Sequence, residues 1–166
     1  MDVMKILLHG YDNISELTTE ELIALITEIL DIEEIGFALT ELYTREPAKA
    51  KELGRDILEQ YLGDRYMQAT VVGFFADCDK EYLVDYVNRH LDTMDVYVFR
   101  SIVDFLMYEA GQPFEPNIPD SLLQRVFDKY HSYKDYENSR TAESFDYFKK
   151  VYKRRLRAAR RRSKTE

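Results

Sequence analysis

Asp64-Arg65-Tyr66-Met67-Gln68-Ala69-Thr70-Val71-Val72-Gly73-Phe74-Phe75 and Asp95-Val96-Tyr97-Val98-Phe99-Arg100-Ser101-Ile102-Val103-Asp104-Phe105-Leu106 carry one pattern 31 residues apart. The shift lays Tyr66 on Tyr97, Val71 on Ile102, Val72 on Val103, Phe74 on Phe105 and Phe75 on Leu106. Each stretch opens on an aspartate, a residue suited to accept the unpaired amide hydrogens at a helix start. Each then places apolar side chains at helical spacing. A shift of 30 brings Leu53, Ile57 and Tyr61 onto Leu83, Val87 and Leu91, and one of 33 brings Ala38, Leu39 and Leu42 onto Val71, Val72 and Phe75. A period this long is that of a helix pair, which cannot cover its own apolar faces and must stack on its neighbours.

Toward the N-terminus, Thr18 and Glu21 make a capping-box pattern ahead of the stripe Leu22, Leu25, Ile26, Ile29 and Leu30. Asp31 is placed to cap the next helix, which ends near Arg45, and Pro47 suits the first turn of the one that runs up to Gly63. Asp79 opens a helix with Leu83, Val84, Val87 and Leu91 inward, and the helix after Asp95 is apolar on nearly every side. Three of the four prolines fall between Gly111 and Pro119, a true break, after which helices are predicted over 119–133 and 141–161. The expected fold is all-α: a short right-handed α-solenoid of antiparallel helix pairs with about seven helices. The 166 residues read as a single domain, with 1–30 as an N-terminal cap, 31–110 as helix-pair repeats and 119–162 as C-terminal helices with a basic tail.

Six glycines and four prolines leave few turns for a many-stranded protein, while 45 % apolar and 33 % charged residues describe a chain that folds. No stretch has the roughly 18 apolar residues of a membrane helix. The apolar patch at Ile6, Leu7 and Leu8 lacks a secretory core and cleavage site. Cys78 stands alone between Asp77 and Asp79, whose charges disfavour a thiolate, so a reactive cysteine is not expected. These features point to the cytoplasm. Charge is divided along the chain. Residues 1–148 hold 13 Lys and Arg against 30 Asp and Glu, a net −17, and residues 149–166 hold ten basic groups and one acid, a net +9. An acidic body repels nucleic acid and favours a basic partner, whereas the tail has the opposite preference.

Residues that carry chemistry are sparse. His9, His90 and His131 have no partner at zinc spacing, and a single Asp128-x-x-His131 is half of what a di-iron bundle needs. Asp77, Asp79 and Glu81 alternate as in a calcium loop, but Tyr82 stands where the loop needs glycine and Asn88 where it needs glutamate. No G-x-S-x-G elbow or phosphate-cradling glycine loop is present. The reading is of a protein that is not an enzyme and takes no metal or other cofactor. Thirteen tyrosines and no tryptophan are a stronger signal, since an exposed tyrosine offers a large contact area at small entropic cost.

The segments 64–72 and 95–103 resemble the opening helices of HEAT-type repeats, in which a turn aspartate precedes a helix of mixed polar and aliphatic residues. The likeness covers about residues 31–110, on a period shorter than most such units. It implies a binding scaffold and no particular activity. Small, acidic, helical binders without catalytic groups also resemble the immunity proteins of bacterial contact-dependent inhibition systems. That resemblance implies a cytoplasmic antidote that occludes the active site of one toxin domain, with a basic nuclease cleft as its electrostatic match. The expected partner is therefore a protein, with the chain as monomer or as heterodimer with that partner. Candidate partner contacts are Tyr43, Glu81, Tyr82, Asp85 and Asp92. Two further readings stand beside this one: a nucleic-acid-associated adaptor that uses Arg154, Arg155, Arg157, Arg160 and Arg161, and a generic protein-binding scaffold.

Overall fold

A computed structural model of the chain describes residues 11–28, 32–113, 116–133 and 141–162. The side chains of 11–13, 32–33, 158–160 and 162 fall outside that description. So do Ile6 to Leu8 and Ile29 to Asp31, which the sequence reads as an apolar patch, the end of a stripe and a cap. Among the described residues every regular element is helical. They form α1 (Thr19–Glu28), α2 (Ile32–Arg45), α3 (Pro47–Glu59), α4 (Arg65–Cys78), α5 (Lys80–His90), α6 (Val96–Glu109), α7 (Asp120–Tyr130), α8 (Thr141–Val151) and α9 (Lys153–Arg162). Short 3₁₀ turns occupy Tyr11–Glu16 and Leu91–Thr93. The nine α-helices exceed the seven or so expected, partly because the C-terminal stripe is divided at Tyr152. Helical bonding passes through that residue: its amide donates to the Phe148 carbonyl (3.0 Å) and its carbonyl accepts from Leu156 (2.9 Å). No described helix is long and apolar enough to cross a membrane.

The chain divides into two compact units, residues 1–78 and 79–166. The boundary falls inside the segment that the sequence reads as helix-pair repeats.

In the first unit α2 is the hub. It packs on the 3₁₀ turn, on α1, on α3 and on α4. Its inward residues Ile35, Ala38, Leu39 and Leu42 are wholly buried, each contributing roughly 1.5–3 kcal/mol for the larger side chains. Gly36 allows α4 to come close, because a Cβ built there would stand 2.8 Å from Thr70 Cγ2. One turn and more along, Tyr43 meets Phe74 edge-on with centroids 5.9 Å apart, so α2 and α4 run in the same direction. Two parallel helices are thus joined by a third, α3, and the direction agrees with the 33-residue shift. The capping box at the start of α1 is made as read. The Thr18 amide donates to Glu21 Oε2 (2.8 Å) and the Glu21 amide to Thr18 Oγ1 (3.2 Å). Arg45, at the end of α2, donates to the Ser15 carbonyl (2.9 Å), the Leu17 carbonyl and Glu41 Oε1 (2.6 Å), fastening the segment before α1.

Helix α3 ends four residues before the Gly63 expected from the sequence. The Leu62 amide donates to the Ile57 carbonyl (3.0 Å) and the Tyr61 amide to the Leu58 carbonyl (3.4 Å). This double closure needs a left-handed residue at Tyr61, whose φ is 54°. Glycine normally fills such a position, because a Cβ there crowds the following carbonyl. Asp64 then starts α4, its Oδ1 accepting from the Tyr66 and Met67 amides, both at 2.9 Å.

In the second unit the Asp79 and Asp95 side chains cap α5 and α6, accepting from Tyr82 (3.2 Å) and Tyr97 (2.8 Å). The Lys80 ammonium meets the largely buried Glu109 carboxylate at 2.7 Å, which ties the start of α5 to the end of α6. Val98, Phe99, Ile102, Val103, Phe105 and Leu106 of α6 are all buried. The C-terminal stripe docks as its spacing requires, with Phe145, Phe148, Tyr152 and Leu156 buried. Phe145 stacks on Tyr130 (3.5 Å) at the end of α7, and the buried Tyr152 hydroxyl donates to the Leu106 carbonyl (2.6 Å).

Replacing Tyr61 by glycine is expected to relieve the left-handed strain, less what the freer unfolded chain takes back, for a net gain of about 0.5–1 kcal/mol. Thermal unfolding followed by circular dichroism should then rise by a few degrees. An unchanged or lower midpoint would mean that the Tyr61 ring is itself a net stabiliser.

Candidate partner-binding surfaces

Four of the five residues singled out for partner contact lie on α5 and the 3₁₀ turn after it. Glu81, Asp85 and Asp92 are exposed, as expected, while Tyr82 is half-buried with its ring 6.2 Å from Tyr86. The charge of this edge differs from the one expected. Asp85 accepts from Arg89 Nε one helical turn on (2.8 Å). Asp92 accepts from Arg125 (3.2 Å), and its carbonyl accepts from Lys129 Nζ (2.6 Å). Arg125 also donates to the carbonyl and Oδ1 of Asn88, each at 2.9 Å. Arg89 of α5 on Asp85 and Arg125 of α7 on Asp92, with Lys129 beside them, thus leave the edge close to neutral. Exposed pairs of this kind add little stability, generally under ~1 kcal/mol, but they do cancel the field that would draw a basic partner. Tyr43 lies in the first unit and is half-buried, its ring against Phe74 and 5.9 Å from Lys51 Nζ.

The basic tail also separates into two sets of residues. Arg154, Arg157 and Arg161 are exposed on α9. Arg155 turns inward: its Nε donates to Asp120 Oδ1 (2.8 Å), its Nη2 to the Ile118 carbonyl, and its guanidinium lies 5.6 Å from the Tyr152 ring centroid. It clamps the start of α7, with its side chain 37 % exposed. The Arg160 side chain lies outside the described residues.

An open groove of about 670 Å³, not among the expected contact surfaces, lies in the second unit where α6 and α8 pack. Tyr108 and Tyr147, 69 % and 56 % exposed, stand on its walls with Met107 and Val151, and Arg100, Asp104 and Glu143 add charge of both signs. Tyr108 and Tyr147 fall off the core stripes of their helices, a signal that helical spacing alone could have supplied. Next to the groove residues on α8, the exposed Asp146 is held below the usual carboxylate range, first by its hydrogen bond from Lys149 (2.5 Å) and then by that ammonium's charge. No group of three or more His, Cys, Asp or Glu among the described residues is placed to hold a metal ion. Compared with known protein families, characterised proteins and solved structures, the chain finds no match.

The two kinds of tail arginine should differ in a melt. Arg155→Ala removes two hydrogen bonds in a half-buried setting and is expected to cost about 1–2 kcal/mol. Arg157→Ala, on the open face of α9, should stay within about 0.5 kcal/mol of the parent. Equal midpoints for the two variants in denaturant titrations would show that the Asp120 clamp contributes nothing.

Proposed function

We propose that the chain is an immunity protein, a helical antidote that binds a cognate toxin domain and neutralises it by covering the active site. A nuclease with a basic cleft is the fitting target. The observation that carries this reading is where the acid lies. Residues 1–78 hold 16 Asp and Glu against six Lys and Arg, a net −10, whereas residues 79–166 hold 15 against 17, a net +2. The first unit is thus a folded, strongly acidic body, suited to draw a basic protein over distances of a Debye length and to speed its association. The same unit exposes Tyr61 and Tyr66, side chains of the kind that anchor protein interfaces. The parallel packing of α2 and α4 supports reading the fold as a HEAT-like stack of pairs, an architecture whose repeats serve as binding surfaces. Antidote action on a nuclease places the protein in the cytoplasm, as a monomer until it meets its partner.

The exposed Arg154, Arg157 and Arg161 favour a second reading, an adaptor that holds RNA or DNA through the tail. Loss of residues 157–166 keeps Arg155 and the buried Leu156 in place, so it separates the two readings without undoing the core.

The test is capture of partners by the tagged chain from its own cells, at low and at high salt, with and without residues 157–166. The expected result is one basic protein domain, held at low salt, released at high salt and indifferent to the truncation. Expressed alone that domain should halt growth, and co-expression of the chain should restore it. Nucleic acid recovered only with the intact tail would replace this reading with the adaptor.

A further inference from the structure

We infer that the outer face of the α2–α4 pair, bounded by Phe37 and Tyr66, is where a basic protein docks, an assignment that rests on the protein-binding reading above. Phe37 is 58 % exposed and Tyr66 41 % exposed, and neither belongs to the buried stripe of its helix. Placing an aromatic ring in water forgoes the gain of burying it, so two on one face mark a surface that gains by being covered. Between them the face is low. Gly36 sits against Thr70 on the seam, and helical spacing puts Tyr66, Thr70, Gly73 and Asp77 on one stripe of α4, beside Phe37, Thr40 and Thr44 of α2.

Gly73 is the informative residue. It lies in the middle of a 14-residue helix, exposed, where a Cβ would meet nothing within 4 Å. Glycine weakens a helix interior relative to alanine, and nothing in the unit's own packing requires it there. A glycine that the fold does not need suits the close approach of a surface from outside. Charge selects the occupant. The unit is net −10, Asp77 is exposed at the far end of the stripe, and Arg65, the cation beside Tyr66, lies over that ring at 5.1 Å. The occupant is a protein surface that carries Lys or Arg around an apolar centre, its apolar side chains between Phe37 and Tyr66 and its backbone over Gly73.

The defined probe is a synthetic amphipathic peptide of lysine and leucine, titrated into the isotope-labelled full chain while backbone amide shifts are read by NMR. Shifts are expected to centre on Phe37, Thr40, Thr70 and Gly73 and to vanish at high salt. Gly73→Trp, which projects into open space, is expected to weaken binding at least tenfold with the melting temperature kept. Phe37→Ser is expected to weaken it several-fold, and Tyr147→Ala in the other unit to leave it unchanged. Shifts centred on the α6–α8 groove or on α5, no binding at all, or a Gly73→Trp chain that binds as tightly as the parent would each overturn the assignment. The capture experiment addresses the antidote reading separately, since a salt-released toxin domain could still be held by a different face.

Discussion

None of the described helices exceeds 14 residues, a length at which an isolated helix is marginal in water. Each therefore exists only while its apolar stripe is covered, and in this chain much of the cover comes from the helix two places along. Helix α2 is covered by α4, with α3 packed on both, and α6 is covered by α8, while α7 packs on α9. Gly36 is where α2 and α4 come closest to a steric limit, since a Cβ there would stand 2.8 Å from Thr70 Cγ2 and that side chain would have to shift. The caps at Thr18, Asp64, Asp79 and Asp95 set where each helix begins, and so which residues its stripe presents.

Much of this was legible in the sequence because it is local or periodic. The stripes Ile35–Ala38–Leu39–Leu42 and Phe145–Phe148–Tyr152–Leu156 follow from helical spacing and are buried as spaced. The Thr18–Glu21 box follows from two residues three apart and has the hydrogen bonds it promises. The left-handed Tyr61 was not legible, since Gly63 two residues later is the more natural helix stop and nothing local favours tyrosine over it. The candidate site was less legible than the fold, for a physical reason. Charge neutralisation joins residues far apart in the chain: Arg125 reaches Asp92 across 33 positions and Arg155 reaches Asp120 across 35. A count of acids along one helix face cannot see cations brought to it by another helix.

Exposure has two different meanings on this surface. Asp85 and Asp92 are open to solvent yet electrically matched, so each acid together with its arginine contributes little to the far field. Phe37 and Tyr108 are open and apolar, and their exposure records surface that the unit has left uncovered. Surface of that second kind lies in both units, on the α2–α4 face and in the α6–α8 groove, while the net acidity belongs to the first unit alone.

The docking of the C-terminal stripe also bears on how the chain matures during synthesis. Contacts that close the first unit join residues about 30 apart, as Arg45 does to Ser15 and Leu17, and all of them are translated by residue 78. The second unit must wait longer, because the Leu106 carbonyl meets the Tyr152 hydroxyl across 46 positions. At roughly 5–20 residues per second, that span leaves the apolar stripe of α6 without its cover for several seconds after it is made. A negatively charged body already folded upstream would keep such nascent chains apart by repulsion during that interval. The division of charge between the two halves would therefore act on nascent chains before any partner is met.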